Sequence, residues 1–319
     1  MSLGPTIAQR ESIENARISL HTFFLESLDG ATADPIEELA MSVPSATAIE
    51  EYDWIGDIPG LVEWLGDREM ATVMVGSFAI RNKDWSSGIR IHKNEILDHK
   101  LAQARAKVQG LAQEARYHYG DLLARCLLNG FDGTAFPDVG AGLCYDGRFL
   151  FSATHQAEGG PAQSNLLNAA LDADGLRIAK AQMRKLRNHK GTRPIRVRPT
   201  HLVVGPDLED TARRLLNQEI VAGGPNGNAS ITNIHRGSLD LLVSDWIVGD
   251  YHNCWFLADL SKPIKPLILQ VREPISSTAL TDWSTEVMFR RGEQQFGAQS
   301  RDNVGIGAWQ PIIGSRVAA

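Results

Sequence analysis

The side chains able to do chemistry in this chain form no recognisable catalytic pattern. His92 with His99, or His118 with Asp121, have the residue types of a metal site, but isolated His and Asp on a helix far more often lie at the surface or cap a helix end. Gly140-Ala141-Gly142 starts like a dinucleotide-binding turn and lacks the third glycine and the preceding strand. There is no GxSxG elbow, GxxxxGK[ST] phosphate loop, HExxH pair or Cys-x-x-Cys. Asn228-Ala229-Ser230 fits a glycosylation triplet, which carries no meaning without a secretion signal. Cys126, Cys144 and Cys254 are odd in number and widely spaced, and so read as small apolar residues in a reducing compartment. No catalytic residue, cofactor or metal ligand is assigned, and the chain reads as a non-enzyme.

Binding chemistry is concentrated instead in YDWIGDIPGLVEWLGDR, residues 52–68. Pro59 presets its φ, Gly60 tolerates φ > 0 and Asp57 can bond nearby amides, so a tight turn is expected between Trp54 and Trp64. Each indole can bury on the order of 200 Å², against its own domain or against a neighbouring chain. On these residues alone the two readings stand level.

The elements that position this loop follow from composition and period. The 319 residues are 43% hydrophobic and 22% charged, which suits one large or two modest globular domains. No apolar run reaches the roughly 18 residues of a membrane span, and the N-terminus has no signal-peptide pattern. A net charge of −6 and a sequence pI near 5.9 disfavour a dedicated nucleic-acid binder. The basic stretch Arg177 to Pro199 reads as a solvated helix face, with Leu176, Ala179, Met183 and Leu186 as its apolar stripe.

Residues 1 to about 50 have few core-forming positions beyond an amphipathic piece from Ile13 to Leu28, and read as an arm. Alternating stretches at Val73–Ile80 and Trp85–His92, joined by Arg81-Asn82-Lys83-Asp84, predict a long β-hairpin. A two-stranded hairpin is marginal alone and should lie on other structure. Leu97, Leu101, Ala104, Val108, Leu111, Ala115, Tyr119, Leu122 and Cys126 recur at spacings of four and three, predicting a helix that Asn129-Gly130 closes. Gly110 and Gly120 make a bend in it conceivable, at about 1 kcal/mol each relative to Ala. Helices at Asp172–Asn188 and Leu208–Ile220 then alternate with strands at His201–Gly205, Leu239–Val243, Cys254–Ala258 and Leu267–Arg272. A strand is expected at Glu286–Arg290, before a Gly-rich ending that closes on Trp309.

This order of parts resembles the HK97-like fold of tailed-phage major capsid proteins, an α+β architecture. Particular blocks resemble the major head subunit of Mu-like phages and prophages, the T protein family. They are YDWIGDIPGLVEWLGDR at 52–68, AIRNKDW at 79–85, CYDGRFLFSATH at 144–155, CWFLADLSKPIKPLILQ at 254–270 and QFGAQSRDNVGIGAWQ at 295–310. The resemblance spans nearly the whole chain from about residue 50. It implies an N-terminal arm at 1–50, a Trp-rich anchoring loop at 51–69 and an extended loop at 70–96 lying over an adjacent subunit. It further implies a peripheral domain at 97–136 and 283–319 with a spine helix, and an axial domain at 137–282.

As a member of this family the chain would assemble with itself into hexamers and pentamers of an icosahedral shell around double-stranded DNA, contacted non-specifically. It would reside in the virion, and in the host cytoplasm during assembly, without membrane contact. No long charged helical segment precedes the arm, so a separate scaffold protein is expected beside the portal, with decoration proteins as further partners. The expected intersubunit contacts are Trp54, Asp57, Trp64, Asp67, Arg68, Asn82, Lys83 and Trp85, with Lys83 at the hairpin tip. The rivals are an encapsulin-like compartment for enzyme cargo, which neighbouring genes for a phage protease and portal would exclude, and a hydrolase whose Ser or Cys nucleophile meets His only on folding.

Overall fold

A computed structural model of the chain describes residues 20–55, 75–92, 94–95, 101–139, 142–156, 160–188, 191–223, 229–280 and 286–317. The helices are α1 (20–30), α2 (Leu101–Asn129), α3 (Ala173–Lys185), α4 (Pro206–Asn217) and α5 (Glu286–Arg291). The strands needed below are β1 (Ala40–Pro44), β2 (Ile49–Ile55), β3 (Val75–Arg81), β4 (Lys83–His92), β5 (Leu166–Leu167) and β6 (His201–Val204). They continue with β7 (Ile220–Gly223), β8 (Ala229–Thr232), β9 (Asp240–Val243), β10 (Trp255–Ala258), β11 (Leu267–Leu280), β12 (Glu293–Ile306) and β13 (Ile312–Ser315).

One sheet runs β1-β11-β12-β4 and a second runs β5-β13-β10-β6-β9, while among the described residues β2 pairs with β3 alone and β7 with β8 alone. In the five-stranded sheet the period of two sends Leu202, Val204, Trp255, Leu257 and Ile313 to one face, where α3 and α4 deliver Leu176, Ala179, Met183, Ala212 and Leu216. Val203, Phe256, Ala258 and Ile312 point the other way, onto Leu122, Leu123 and Leu127 of α2 and onto Leu150 and Phe151. Because both faces are covered, all four residues of β10 are buried.

The helical stripe is as expected in α2, where Ala104, Val108, Leu111, Leu122 and Cys126 are all buried. Its first half packs with Leu20 and Phe24 of α1 and with Phe296 of β12, and its second half joins the core shared with the five-stranded sheet. Gly120 serves close approach: a Cβ there would lie 2.7 Å from Asp34 Cβ and 3.2 Å from the Trp246 ring nitrogen. The final strands tie the domains together, since β12 belongs to the first sheet and β13 to the second.

Two expectations are corrected. The strands around Val73–Ile80 and Trp85–His92 exist, but they do not form a hairpin with each other. β3 pairs antiparallel with β2, and β4 pairs antiparallel with β12 along its length, from Lys83 opposite Asp302 to His92 opposite Glu293. Alternation marks strands and their faces without naming their partners, and here a single residue, Asn82, turns the chain from one sheet to another. The segment Glu286–Arg290 is helical, supported by an i,i+4 ion pair of 3.0 Å between Glu286 and Arg290, with Met288 as its buried residue. In addition, β11 runs on to Leu280, well beyond the expected Arg272.

Candidate assembly interface

The β2–β3 hairpin joins the body through a buried polar junction. The Asn82 backbone N–H donates to the Ala48 carbonyl at 3.0 Å. Its side-chain amide donates to Ser45 Oγ at 2.7 Å and to the Thr47 carbonyl at 2.8 Å. The Asn82 Oδ1 accepts from Gln270 Nε2 at 2.7 Å, and Gln270 Oε1 accepts from the Tyr52 hydroxyl at 2.8 Å. Gln270 is fully buried in β11, and Tyr52 stacks on Phe78 at 5.4 Å across the hairpin. A closed chain of bonds thus runs from sheet to corner to hairpin, and satisfied buried amides of this kind fix one geometry. Glu50 secures the adjoining turn by accepting from the Ala46 and Thr47 amides at 2.7 and 2.8 Å and from Ser45 Oγ at 2.9 Å. Those bonds, that from Thr47 first, hold its carboxyl down to about 2.

Trp85 sits one layer further in. Its indole N–H donates to the Asp302 carbonyl at 3.3 Å, and its ring meets His118 of α2 edge-on at 4.9 Å. His118 Nε2 lies 3.0 Å from the Asp302 carboxylate, whose side chain is fully buried. The Lys83 ammonium donates to the Asp138 carbonyl and lies 5.9 Å from the Trp85 ring centre. These groups clamp β4 onto β12 and α2.

The eight expected contact residues therefore separate. Asn82 is buried and bonded within its own chain, Trp85 is half-buried against the main core, and Lys83 stands at an inter-sheet corner, not at a hairpin tip. Trp54 lies in β2, where only its backbone pairing with Gly76 is described. Asp57, Trp64, Asp67 and Arg68 lie outside the described residues, in the stretch that joins β2 to β3. Sequence reasoning passed over Phe289 of α5, which is 88% exposed between β11 and β12, with Leu280 also exposed nearby in the chain. The signal was present in Met288-Phe289-Arg290-Arg291, because as a helix this segment offers only one of its two large apolar residues to the core.

This fold, a long helix beneath a four-stranded sheet with a five-stranded sheet sharing its core, is similar as a whole to that of known shell proteins. The family described as Mu-like prophage major head subunit gpT matches residues 13–169, 164–247 and 247–318. The chain belongs to this family. It is 25% identical over 284 residues to the Mu-like prophage FluMu major head subunit of Haemophilus influenzae, covering 88% of this chain and 67% of that one. It is 24% identical over 278 residues to the major capsid protein of Escherichia phage Mu, covering 66% of this chain and 90% of that one. Among solved structures, the procapsid of bacteriophage JBD30 aligns over 99% of this chain and 77% of its own, with a TM-score of 0.59 and 23% identity. A virus-like particle from Pyrococcus furiosus aligns over 93% and 98%, with a TM-score of 0.53 and 9% identity, a likeness of fold alone.

This gpT-family chain is thus a major head subunit with the HK97-like fold, a structural component of the virion capsid and not an enzyme. Its working surfaces are the ones it offers to other copies of itself.

Proposed function

We propose that this subunit closes into hexamers and pentamers of an icosahedral head around double-stranded DNA, guided by a separate scaffold protein and a portal. The observation that carries this reading is the β2–β3 hairpin: among the described residues its strands share a ladder with no other strand, and bonds at its root with Gln270 and Asn303 set its direction. A two-stranded ribbon gains stability when another surface covers it. In the assembled head that surface is an adjacent subunit, with Trp54, Asp57, Trp64, Asp67 and Arg68 making the contact. Asn82, Lys83 and Trp85 act indirectly, by holding the hairpin and its supporting sheet in place. Decoration proteins bind the outer surface, as minor capsid protein trimers do on the JBD30 capsid.

The test is electron microscopy of the purified protein, alone and with its phage's scaffold protein. Shells, tubes or capsomer rings are expected. A uniform monomer under both conditions would refute the assembly reading.

A further inference from the structure

The five-stranded domain carries opposite charges at its two edges. Between residues 176 and 205 the sequence has nine Lys or Arg and no Asp or Glu, in a chain of net charge −6. The fold gathers part of this stretch beside β5. Gln163 Nε2 donates to the Arg187 carbonyl at 2.9 Å, the Arg187 N–H donates to Gln163 Oε1 at 2.6 Å, and the Ile195 N–H donates to the Leu186 carbonyl at 3.1 Å. The end of α3 and the 191–196 segment are thereby fastened to the strand region leading into β5. Arg184, Lys185, Arg187 and Arg196 are exposed there, and among the described residues no carboxylate pairs with any of them. A helix C-terminus favours Arg184 and Lys185 on its own account, whereas Arg187 and Arg196 lie beyond the helix. Arg196 is also the one non-glycine with positive φ among the described residues, at 58°.

At the other edge, residues 237–261 contain four Asp and no Lys or Arg. Asp240 on β9 is 83% exposed, and Glu38, on the 3-10 turn Pro35–Leu39 packed beside β9, is 58% exposed. The His201 ring lies 3.7 Å from Glu38 and 3.9 Å from Asp240, and among the described residues one ammonium of the basic run reaches this side, that of Lys180, which donates to Ser238 Oγ at 2.6 Å. Asp245 follows β9, and beyond it Trp246 and Val248 are exposed apolar side chains.

In a ring built by rotation, one side of each subunit meets the opposite side of the next, so the two contact surfaces differ and must complement each other. We infer, resting on the ring assembly proposed above, that the basic β5 edge of one copy docks on the acidic β9 edge of the next. Arg184, Lys185, Arg187 and Arg196 face Glu38, Asp240 and Asp245, and Trp246 and Val248 are covered in the same contact. Opposed charge of this kind steers association and sets orientation more than it adds raw affinity, and salt weakens it.

The test uses two full-length variants, one reversing the basic edge (Lys185→Glu with Arg187→Glu) and one reversing the acidic edge (Glu38→Lys with Asp240→Lys). Circular dichroism and thermal melting check that both fold; if either does not, the neutral Lys185→Gln, Arg187→Gln pair is used, which should assemble only at lower salt than the parent. Each reversal alone is expected to lower sedimentable assembly about tenfold. Mixed one to one, the two should recover rings of even number, because each subunit then finds an opposite partner on both sides. Five-membered rings, and hence closed shells, should stay absent. Either variant assembling alone as the parent does, or a folded mixture without rings, would overturn the inference. So would normal assembly accompanied by lost binding of a short DNA duplex by the basic-edge variant, which would assign that edge to DNA. Failure of the parent protein to assemble at all would count against the proposed function instead.

Discussion

Replacing Asn82 with Ala tests whether the hairpin root is a structural brace. The substitution removes two donated bonds, of 2.7 and 2.8 Å, and one accepted bond of 2.7 Å. The groups left behind are not equally harmed. Ser45 keeps its 2.9 Å bond to Glu50, and the Thr47 carbonyl still accepts from Ser45 at 3.1 Å. Gln270 Nε2 keeps only a 3.3 Å contact to the Ile80 carbonyl, inside a fully buried site. A buried donor losing its main partner costs about 2 kcal/mol, and loosening of the turn adds about 1 kcal/mol. The expected destabilisation is about 3 kcal/mol in urea unfolding of dissociated subunits, or a fall of about 6 °C in Tm for a chain of this size. Gln270→Ala should cost a similar amount, and the double variant should fall short of the sum by about 1 kcal/mol because both remove the same bond. A change below about 0.5 kcal/mol for Asn82→Ala, or strict additivity, would refute the brace.

Other consequences follow from the same contacts. Glu50 has a depressed folded pKa, so its contribution to the turn is complete above its ordinary value of 4.5 and is lost as pH falls towards about 2. Nuclear magnetic resonance of dissociated subunits should show the Ala46 and Thr47 amides titrating with a midpoint near 2; a midpoint at the ordinary carboxylate value would contradict the geometry. Gly205→Ala would place a Cβ 2.1 Å from the Ile247 carbonyl oxygen, a backbone atom that cannot step aside, and should cost about 3 kcal/mol by thermal melting. His155 stacks on Trp309 at 4.3 Å and holds the nearly buried Asp146 carboxylate at 2.6 Å, so His155→Phe preserves the stack and strands a charge. About 3 kcal/mol is expected by thermal melting, and a neutral outcome would remove the His155–Asp146 contact from the supports of the fold. Trp64→Ala should abolish particles while leaving soluble, folded subunits, and normal heads from this variant would remove Trp64 from the contact.

The sequence by itself was enough for the element types wherever one face is buried continuously. The four-and-three spacing of Ala104, Val108, Leu111, Leu122 and Cys126 meant a helix because a 3.6-residue period leaves no other way to hide them together. The short apolar run of His201–Val204 as a strand and the helix beginning near Asp172 were legible for similarly local reasons. The wording of five blocks was specific enough to indicate the family. What tertiary structure alone decided was partnership. The period of two in Val75–Arg81 and Lys83–His92 is satisfied by any neighbouring strand, and only the folded chain showed that β2 and β12 take those places. For the same reason only the folded chain showed Asn82 buried and Trp85 half-buried against groups of their own chain. Whether a polar or aromatic side chain ends in water, in the core or against another copy depends on groups distant in sequence, here Gln270 for Asn82 and Asp302 for Trp85. The charge runs were visible as letters, but placing them at opposite edges of one sheet required the order β5-β13-β10-β6-β9.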